Sequence, residues 1–401
     1  MPSPRVLFYS SSIGLGHVTR DIAIAQAIRG LSPGAQIDWL ASSPAREHLI
    51  AAGETIHPEA ARLSDATTEA EARVRPGRFN ITLWAVAVRK RWAEDGRVAL
   101  SVMTGGDYDA MVGDEAYDVA MALTGGSARL DRPCLILYDF LGLDSMSVNP
   151  VEWIGVEAIN KAWARDPHGH YQAVFLGELE DLPLTPFGRH GPPRREWAES
   201  NAAVVGHVLP FDPAALQDRA LLRAELGHGP EPLVVVSAGG TAAGEKLVAR
   251  CLDSFPLARR EVPDLRMLIV SGPRLSAPDG DLQEGVEIRG YVPRLYEHFA
   301  ACDLAIVQGG GTTTLELTAL GRPFLFFPLR HHCEQLRYVA PRQKRLGAGT
   351  QLDLKRTSPA VLSRHIASEI GREVAYPPLE LDGARRIAEL LMEAAGGTAV
   401  G

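Results

Sequence analysis

LAIVQGGGTTTLE, from Leu304 to Glu316, decides how this chain is read. Leu304–Val307 is a short apolar run of strand type. Gly309, Gly310 and Gly311 follow it, and a helical pattern continues through Leu315 and Leu317. A strand that passes through glycines into a helix is a crossover unit of a parallel sheet, where ligands collect beyond the carboxyl ends of the strands. Glycine lets the backbone approach a ligand closely. The open N–H groups and positive end of the helix suit a diphosphate. Thr312 and Thr313 are N-cap candidates for that helix. Glu316, about one turn further on, can accept hydrogen bonds from both hydroxyls of a ribose. On the glycines alone, a tight packing turn with Glu316 on a solvated helix face fits equally.

The same alternation runs along the whole chain. Arg5–Tyr9 leads through a Ser- and Gly-rich loop into a helical pattern from Val18 to Ile28. Further strand candidates are Ile37–Leu40, Ala110–Val112, Cys134–Tyr138 and Ala202–Val205. After Val205–Pro213 (VGHVLPFDP) it restarts with Leu233–Ser237, Arg266–Ser271, Val286–Ile288, Leu304–Val307 and Phe324–Phe327. Strands separated by helices predict an α/β chain of doubly wound parallel sheets. A length of 401 residues with 46% apolar residues suits two such domains. The expected division is residues 1–205, a linker at 206–213, a second domain at 214–376, and a last segment at 377–401 carrying a helix from Gly383 to Ala395. No short-period repeat or low-complexity tract interrupts it.

The formal charge of -8 argues against a nucleic-acid partner and disfavours docking to an acidic membrane. No apolar run reaches the roughly 18 residues of a membrane span, and the start of the chain lacks the layout of a signal peptide. Cys134, Cys251, Cys302 and Cys333 are scattered without a pairing pattern, so they read as reduced thiols of a cytoplasmic protein.

Beyond the glycine loop, Gly321-Arg322-Pro323 ends the helix, Phe324–Phe327 forms the next strand, and the loop Leu329–Gln335 (LRHHCEQ) follows. The run from Asp303 to Gln335 resembles the donor-binding block of GT-B glycosyltransferases. It is most similar to the peptidoglycan N-acetylglucosaminyltransferase family and the related UDP-glycosyltransferases. The resemblance implies a GT-B fold, two Rossmann-like domains facing each other across a cleft, with the last helix returning to the N-terminal domain. It places the ribose on Glu316, the diphosphate on Gly309, Gly310, Gly311, Thr312 and Thr313, and sugar hydroxyls on Glu334 and Gln335. Gln308 stands where many UDP-glycosyltransferases carry histidine; it can donate to phosphate but brings no charge. Ser237–Thr241 (SAGGT) matches a phosphate-contacting loop, with Gly240 and Thr241 at its tip, and the loop at Gly290 matches one that holds the nucleotide base through main-chain groups near Tyr291 and Val292. Arg274 is read as a surface arginine in preference to a diphosphate partner.

Gly14-Leu15-Gly16-His17 follows the first strand. A dinucleotide fingerprint needs a third glycine where Thr19 stands, so an oxidoreductase is rejected. The pattern resembles instead the first loop of the same glycosyltransferases, with Gly14 and Gly16 shaping it. In UDP-glycosyltransferases a histidine here is the general base, which falls on His17. A helix N-terminus lowers a histidine pKa and keeps the imidazole neutral near pH 7. Its orienting acid is assigned to Asp114 in AMVGDEAYD, with Glu115 and Asp139 as rivals. The competing readings are a substrate-contacting His17 and an Asp114 that caps a helix.

Asp107-Tyr108-Asp109 has DxD spacing, yet precedes a strand and reads as a turn. His331-His332-Cys333 is no convincing zinc site, and His168 and His170 read as solvent-facing. Ile81, Trp84, Val88 and Trp92 recur at helical spacing beside Arg89-Lys90-Arg91. A core-facing helix or acceptor wall is preferred there over a peripheral membrane face. The stretches Glu54–Gly105 and Ser145–Asn201 carry no recognisable motif and are expected to shape the acceptor site. The implied reaction is an inverting transfer from a UDP- or dTDP-sugar, without metal or cofactor, to an unidentified small-molecule or lipid-linked hydroxyl. The rivals are a nucleotide-sugar 2-epimerase and a non-catalytic binding protein.

Overall fold

Val6, Leu7 and Phe8 are fully buried in strand β1 (Arg5–Tyr9). A strand without polar alternation requires this, because a parallel sheet is covered on both faces. The computed structural model describes residues 3–10, 15–64, 80–239, 242–272 and 282–397. Two further strands, β2 (Gln36–Leu40) and β3 (Thr55–Ile56), extend the sheet on one side of β1. On the other side lie β4 (Ala110–Asp114), β5 (Cys134–Tyr138), β6 (Gln172–Phe175) and β7 (Ala202–Val204). The order is β3-β2-β1-β4-β5-β6-β7, and every pairing is parallel.

A second sheet contains β8 (Leu233–Ser237), β9 (Arg266–Val270), β10 (Val286–Arg289), β11 (Leu304–Gln308), β12 (Phe324–Phe327) and β13 (Thr350–Gln351). Its order is β10-β9-β8-β11-β12-β13, again wholly parallel. Two parallel α/β sheets with these orders form the GT-B architecture. Among the described residues, one compact unit takes 3–64, 81–210 and 379–397, and the other takes 211–378. Each has its own core: Val6, Phe8, Trp39 and Val112 in the first, Val236, Phe255, Ile306 and Leu325 in the second.

The structure extends β4 two residues beyond the apolar pattern, because Gly113 and Asp114 still pair with Ile136 and Leu137 of β5. Three strands escaped the sequence reading. β3 and β13 are only two residues long, and β6 opens on a polar Gln172. The helix Ile81–Gly105 buries Trp84 and Val88, and Trp84 meets Trp92 edge-on at 5.1 Å. No described helix is long and apolar enough to cross a membrane. All four cysteines are buried and none forms a disulfide.

The terminal helix Gly383–Gly397 packs on the helix Leu15–Leu31 of the first unit, burying Ile387, Ala388 and Leu391. Its entry is fixed by backbone bonds. His207 N donates to Glu380 O at 2.6 Å, and Gly383 N donates to His207 O at 3.1 Å. Gly206 makes this approach feasible: its φ is +78°, and a Cβ there would lie 2.8 Å from Glu380 O.

Gly206→Ala should therefore lower stability by about 1–2 kcal/mol, the cost of a left-handed non-glycine residue, or more with the contact. Gly30→Ala has no neighbour within 4 Å of the new Cβ, and its helical position should gain up to about 1 kcal/mol. Urea unfolding midpoints should move in opposite directions; equal midpoints would refute the anchoring role of Gly206.

Candidate functional site

In the first unit, three adjacent strands deliver their functional side chains to one carboxyl edge, as parallel pairing demands. His17 and Gly16 lie in the first turn of the helix after β1, Asp114 closes β4, and Asp139 follows β5. Gly14 falls outside the described residues. His17 Nδ1 lies 2.9 Å from Asp114 Oδ2. Arg20, one helical turn after His17, donates to Asp114 Oδ1 and to Asp139 Oδ1, and its Nη2 lies 3.0 Å from His17 Nδ1. Glu115 has a left-handed backbone (φ +47°). Its Oε2 is 3.8 Å from His17 Nε2, and its Oε1 accepts a 2.8 Å bond from the Tyr117 hydroxyl. Asp114 is not a helix cap, since Ala116 holds that position for Tyr117–Thr124.

The charges in this cluster interlock. Burial works to raise the Asp114 pKa, but Arg20 and His17 outweigh it and hold the carboxyl below its usual range. Burial also disfavours a charged His17, yet Glu115 and Asp114 override it and raise the imidazole to about 10. This corrects the expectation of a neutral imidazole. A helix end acts as about half a charge, whereas two carboxyl groups, Asp114 and Glu115, stand within 4 Å of the ring. Burial pushes Glu115 up to about 8, with Asp139 and Asp114 adding to it and His17 opposing. Ligand atoms of His17, Glu115 and Asp139 lie within 4.8 Å of one another, a spacing that a cation could bridge. The Arg20 guanidinium already supplies positive charge to this group through Asp139 and Asp114. Arg20 went unnoticed in the sequence, although an arginine three residues after His17 shares its helix face.

In the second unit, β11 ends at Gln308 and the helix Gly311–Ala319 starts after only two glycines. The N-cap is Gly310, with no side-chain cap bond. Thr312 and Thr313 therefore sit inside the first turn instead of capping it, a correction forced by the short connection. The first N–H groups of the helix are thus left for water or an anion. Two close approaches show why glycine occupies this loop. A Cβ on Gly309 would sit 3.0 Å from Pro328 Cα, and one on Gly311 would sit 3.0 Å from Glu334 Oε1. Glu334 thus borders the helix start. Gln308 Oε1 lies 3.1 Å from the Cβ position of Gly239, so the turn after β8 adjoins the loop after β11. Gly240 and Thr241 at that turn lie outside the described residues, as does Arg274.

Gln335 is buried, and its Oε1 accepts from Leu329 N at 2.7 Å. The amide is thus part of the scaffold of its own loop. His332 is buried as well, and burial takes its pKa down to about 4; its Nδ1 accepts from Gln335 N at 3.4 Å. Tyr291 is 43% exposed beside a buried Val292. Arg342, which the sequence reading passed over, donates to Gly311 O at 3.0 Å. Asp109 accepts from Arg5 N at 2.8 Å, in keeping with its reading as a turn. Glu316 stands apart from all of these. It is buried in the helix after the glycine loop, its carboxyl meets no hydrogen-bond donor or cation among the described residues, and burial raises its pKa to about 8.

Residues 234–372 match the Glycosyltransferase family 28 C-terminal domain. Over 95% of its length the chain is 25% identical to the UDP-N-acetylglucosamine--N-acetylmuramyl-(pentapeptide) pyrophosphoryl-undecaprenol N-acetylglucosamine transferase of Mycolicibacterium smegmatis, covering 91% of that protein. Among solved structures, it superposes on the glycosyltransferase SnogD from Streptomyces nogalater with a TM-score of 0.58 at 19% identity, covering 98% of this chain and 100% of that one. MurG of Acinetobacter baumannii gives a TM-score of 0.54 at 16% identity, with coverage of 98% and 100%. The chain is a glycosyltransferase of the GT-B fold that uses a nucleotide sugar, and it resembles the peptidoglycan N-acetylglucosaminyltransferases and the UDP-glycosyltransferases.

Arg20 is the cation on which the first cluster depends. Its replacement by methionine takes the guanidinium from buried Asp114 and half-buried Asp139 and should cost about 3–5 kcal/mol at pH 7. Asp114 has a depressed folded pKa, so its contribution is present above the ordinary carboxylate value of about 4 and is lost as pH falls through the folded value. The deficit of Arg20→Met should therefore narrow below about pH 4. A deficit that is constant from pH 7 to pH 3 would show that Arg20 acts by packing alone.

Proposed function

We propose that the chain is an inverting, metal-independent glycosyltransferase that moves a sugar from a UDP- or dTDP-sugar to a hydroxyl of a small-molecule or lipid-linked acceptor. The observation that carries this reading is Glu316: a buried carboxyl without a donor among the described residues, one turn beyond an uncapped helix start. A nucleotide diphosphate complements both features, since its ribose offers two hydroxyl donors and its phosphates suit the helix end. The Mycolicibacterium relative, named for a UDP-sugar donor and an undecaprenol-linked acceptor, supports the same substrate classes. Gly309–Thr313 and the turn at Gly240 and Thr241 would hold the diphosphate. Tyr291 and Val292 would border the base, and Glu334 and Gln335 the sugar. A cytoplasmic location accords with four cysteines outside any disulfide.

The reaction is a single displacement. The acceptor oxygen attacks the anomeric carbon, the bond from that carbon to the diphosphate oxygen breaks, and the electron pair leaves with the diphosphate. Helix N–H groups stabilise the growing charge. Asp114 occupies Nδ1 of His17, so Nε2 is the nitrogen that takes the acceptor's proton.

The test is calorimetric. Glu316 is raised to about 8 in the free protein, and ribose hydroxyl donors favour its charged form. Binding of UDP or dTDP near pH 7 should therefore release a proton, with affinity rising towards pH 8 and levelling above it. Glu316→Gln should abolish that release and weaken binding by about 1.5–3 kcal/mol. Proton release that persists in Glu316→Gln would remove Glu316 from the ribose.

Turnover should survive EDTA, because helix and backbone dipoles neutralise the diphosphate. Loss of activity restored by manganese would overturn the metal-free reading. Epimerised sugar nucleotide formed without acceptor would favour the 2-epimerase.

A further inference from the structure

We infer that Glu115 governs whether His17 can accept a proton, acting on Nε2 of the imidazole, the nitrogen that Glu115 faces. The inference rests on the reading of His17 as the base. With Nδ1 against Asp114 at 2.9 Å, chemistry at the ring must pass through Nε2. Glu115 Oε2 lies 3.8 Å from that nitrogen. The gap exceeds a hydrogen bond, yet is short enough for strong charge coupling.

Two features hold Glu115 there. The left-handed backbone at φ +47° turns it back from the end of β4, and the Tyr117 hydroxyl binds Oε1 at 2.8 Å. A non-glycine residue in that conformation is uncommon and is kept where its surroundings over-determine it. The Glu115 side chain is only 4% exposed, against 17% for His17. It is therefore a positioning residue that meets the imidazole, while the imidazole meets the acceptor.

Among the described residues, the charged neighbours of the ring come from two strand ends and one helix. Asp114 and Glu115 come from the end of β4, and Asp139 lies beyond β5 at 3.8 Å from Nδ1. Arg20 and Asp21 share the helix of His17, and Asp21 is bound by Ser10 at the end of β1 at 2.5 Å. Arg20 is paired with Asp114 and Asp139, which leaves Glu115 as the carboxylate opposite Nε2. When ionised, it stabilises the imidazolium and so withholds the base. Transfer needs the neutral ring: the Nε2 proton first leaves to solvent, the bared Nε2 takes the acceptor's proton as the acceptor oxygen attacks, and that proton leaves to solvent after product departs.

The experiment follows the His17 ring by NMR through a pH titration in the full chain, with the signal assigned by its loss in His17→Ala. In Glu115→Gln the midpoint should fall by about one pH unit or more, the usual effect of losing an opposite charge at this range. Tyr117→Phe frees Glu115 and should give a smaller downward shift, so it carries the test if Glu115→Gln does not fold. The acid limb of kcat/KM should move to lower pH with the NMR midpoint. An unmoved midpoint in the folded variants overturns the inference. So does a folded Glu115→Gln that is inactive at every pH, because Glu115 would then be the proton acceptor itself. If His17→Ala keeps full turnover and its pH profile, the base reading fails, and the NMR shift still decides whether Glu115 controls the ring.

Discussion

Parallel strand pairing is the constraint from which the rest of this molecule follows. A parallel sheet buries both faces of its central strands, so little polar chemistry can sit along them. Functional groups are driven to the carboxyl edge, where each strand hands over to a helix. In the first unit that edge collects His17, Asp114, Glu115 and Asp139. In the second it collects the turn after β8, Gln308 to Thr313 after β11, and Glu334 and Gln335 after β12.

The two edges treat buried carboxyl groups in opposite ways. Asp114 is fully enclosed and fully served, by Arg20 on one oxygen and His17 on the other. Glu316 is enclosed and served by nothing among the described residues. Burying a carboxyl without a partner costs several kcal/mol if it stays charged, and the group responds by holding its proton. An arrangement of the first kind is built to keep its charge permanently. One of the second kind is open to a donor from outside, the role proposed for the ribose of the donor nucleotide.

The loop after β12 shows a different economy. Gln335 spends its oxygen on Leu329 N, and His332 spends Nδ1 on Gln335 N. The polar run LRHHCEQ is thereby a self-supporting turn, which holds Glu334 against the start of the glycine-loop helix. His332 and Cys333 are buried within that turn.

Much of this was legible in one dimension. Apolar runs such as RVLFY and LAIV predicted buried parallel strands, and the glycines after them marked where ligands gather, because strand period and glycine geometry are local properties. The segment QAVF, two-residue strands and the last two residues of β4 were not legible, since only pairing with a neighbour makes them strands. The sequence determined that His17 and Asp114 lie just past the apolar runs of two strands, and that Gly309–Gly311 open a helix. Tertiary structure alone decided that Arg20 bridges Asp114 and Asp139, that Glu115 turns back onto Nε2, and that His17 is held charged where a helix end predicted it neutral. The reason is range. Propensity and periodicity act between neighbours in the chain, whereas the charge state of a buried group is set by every charge within a few ångströms, from whichever strand or helix brings it there.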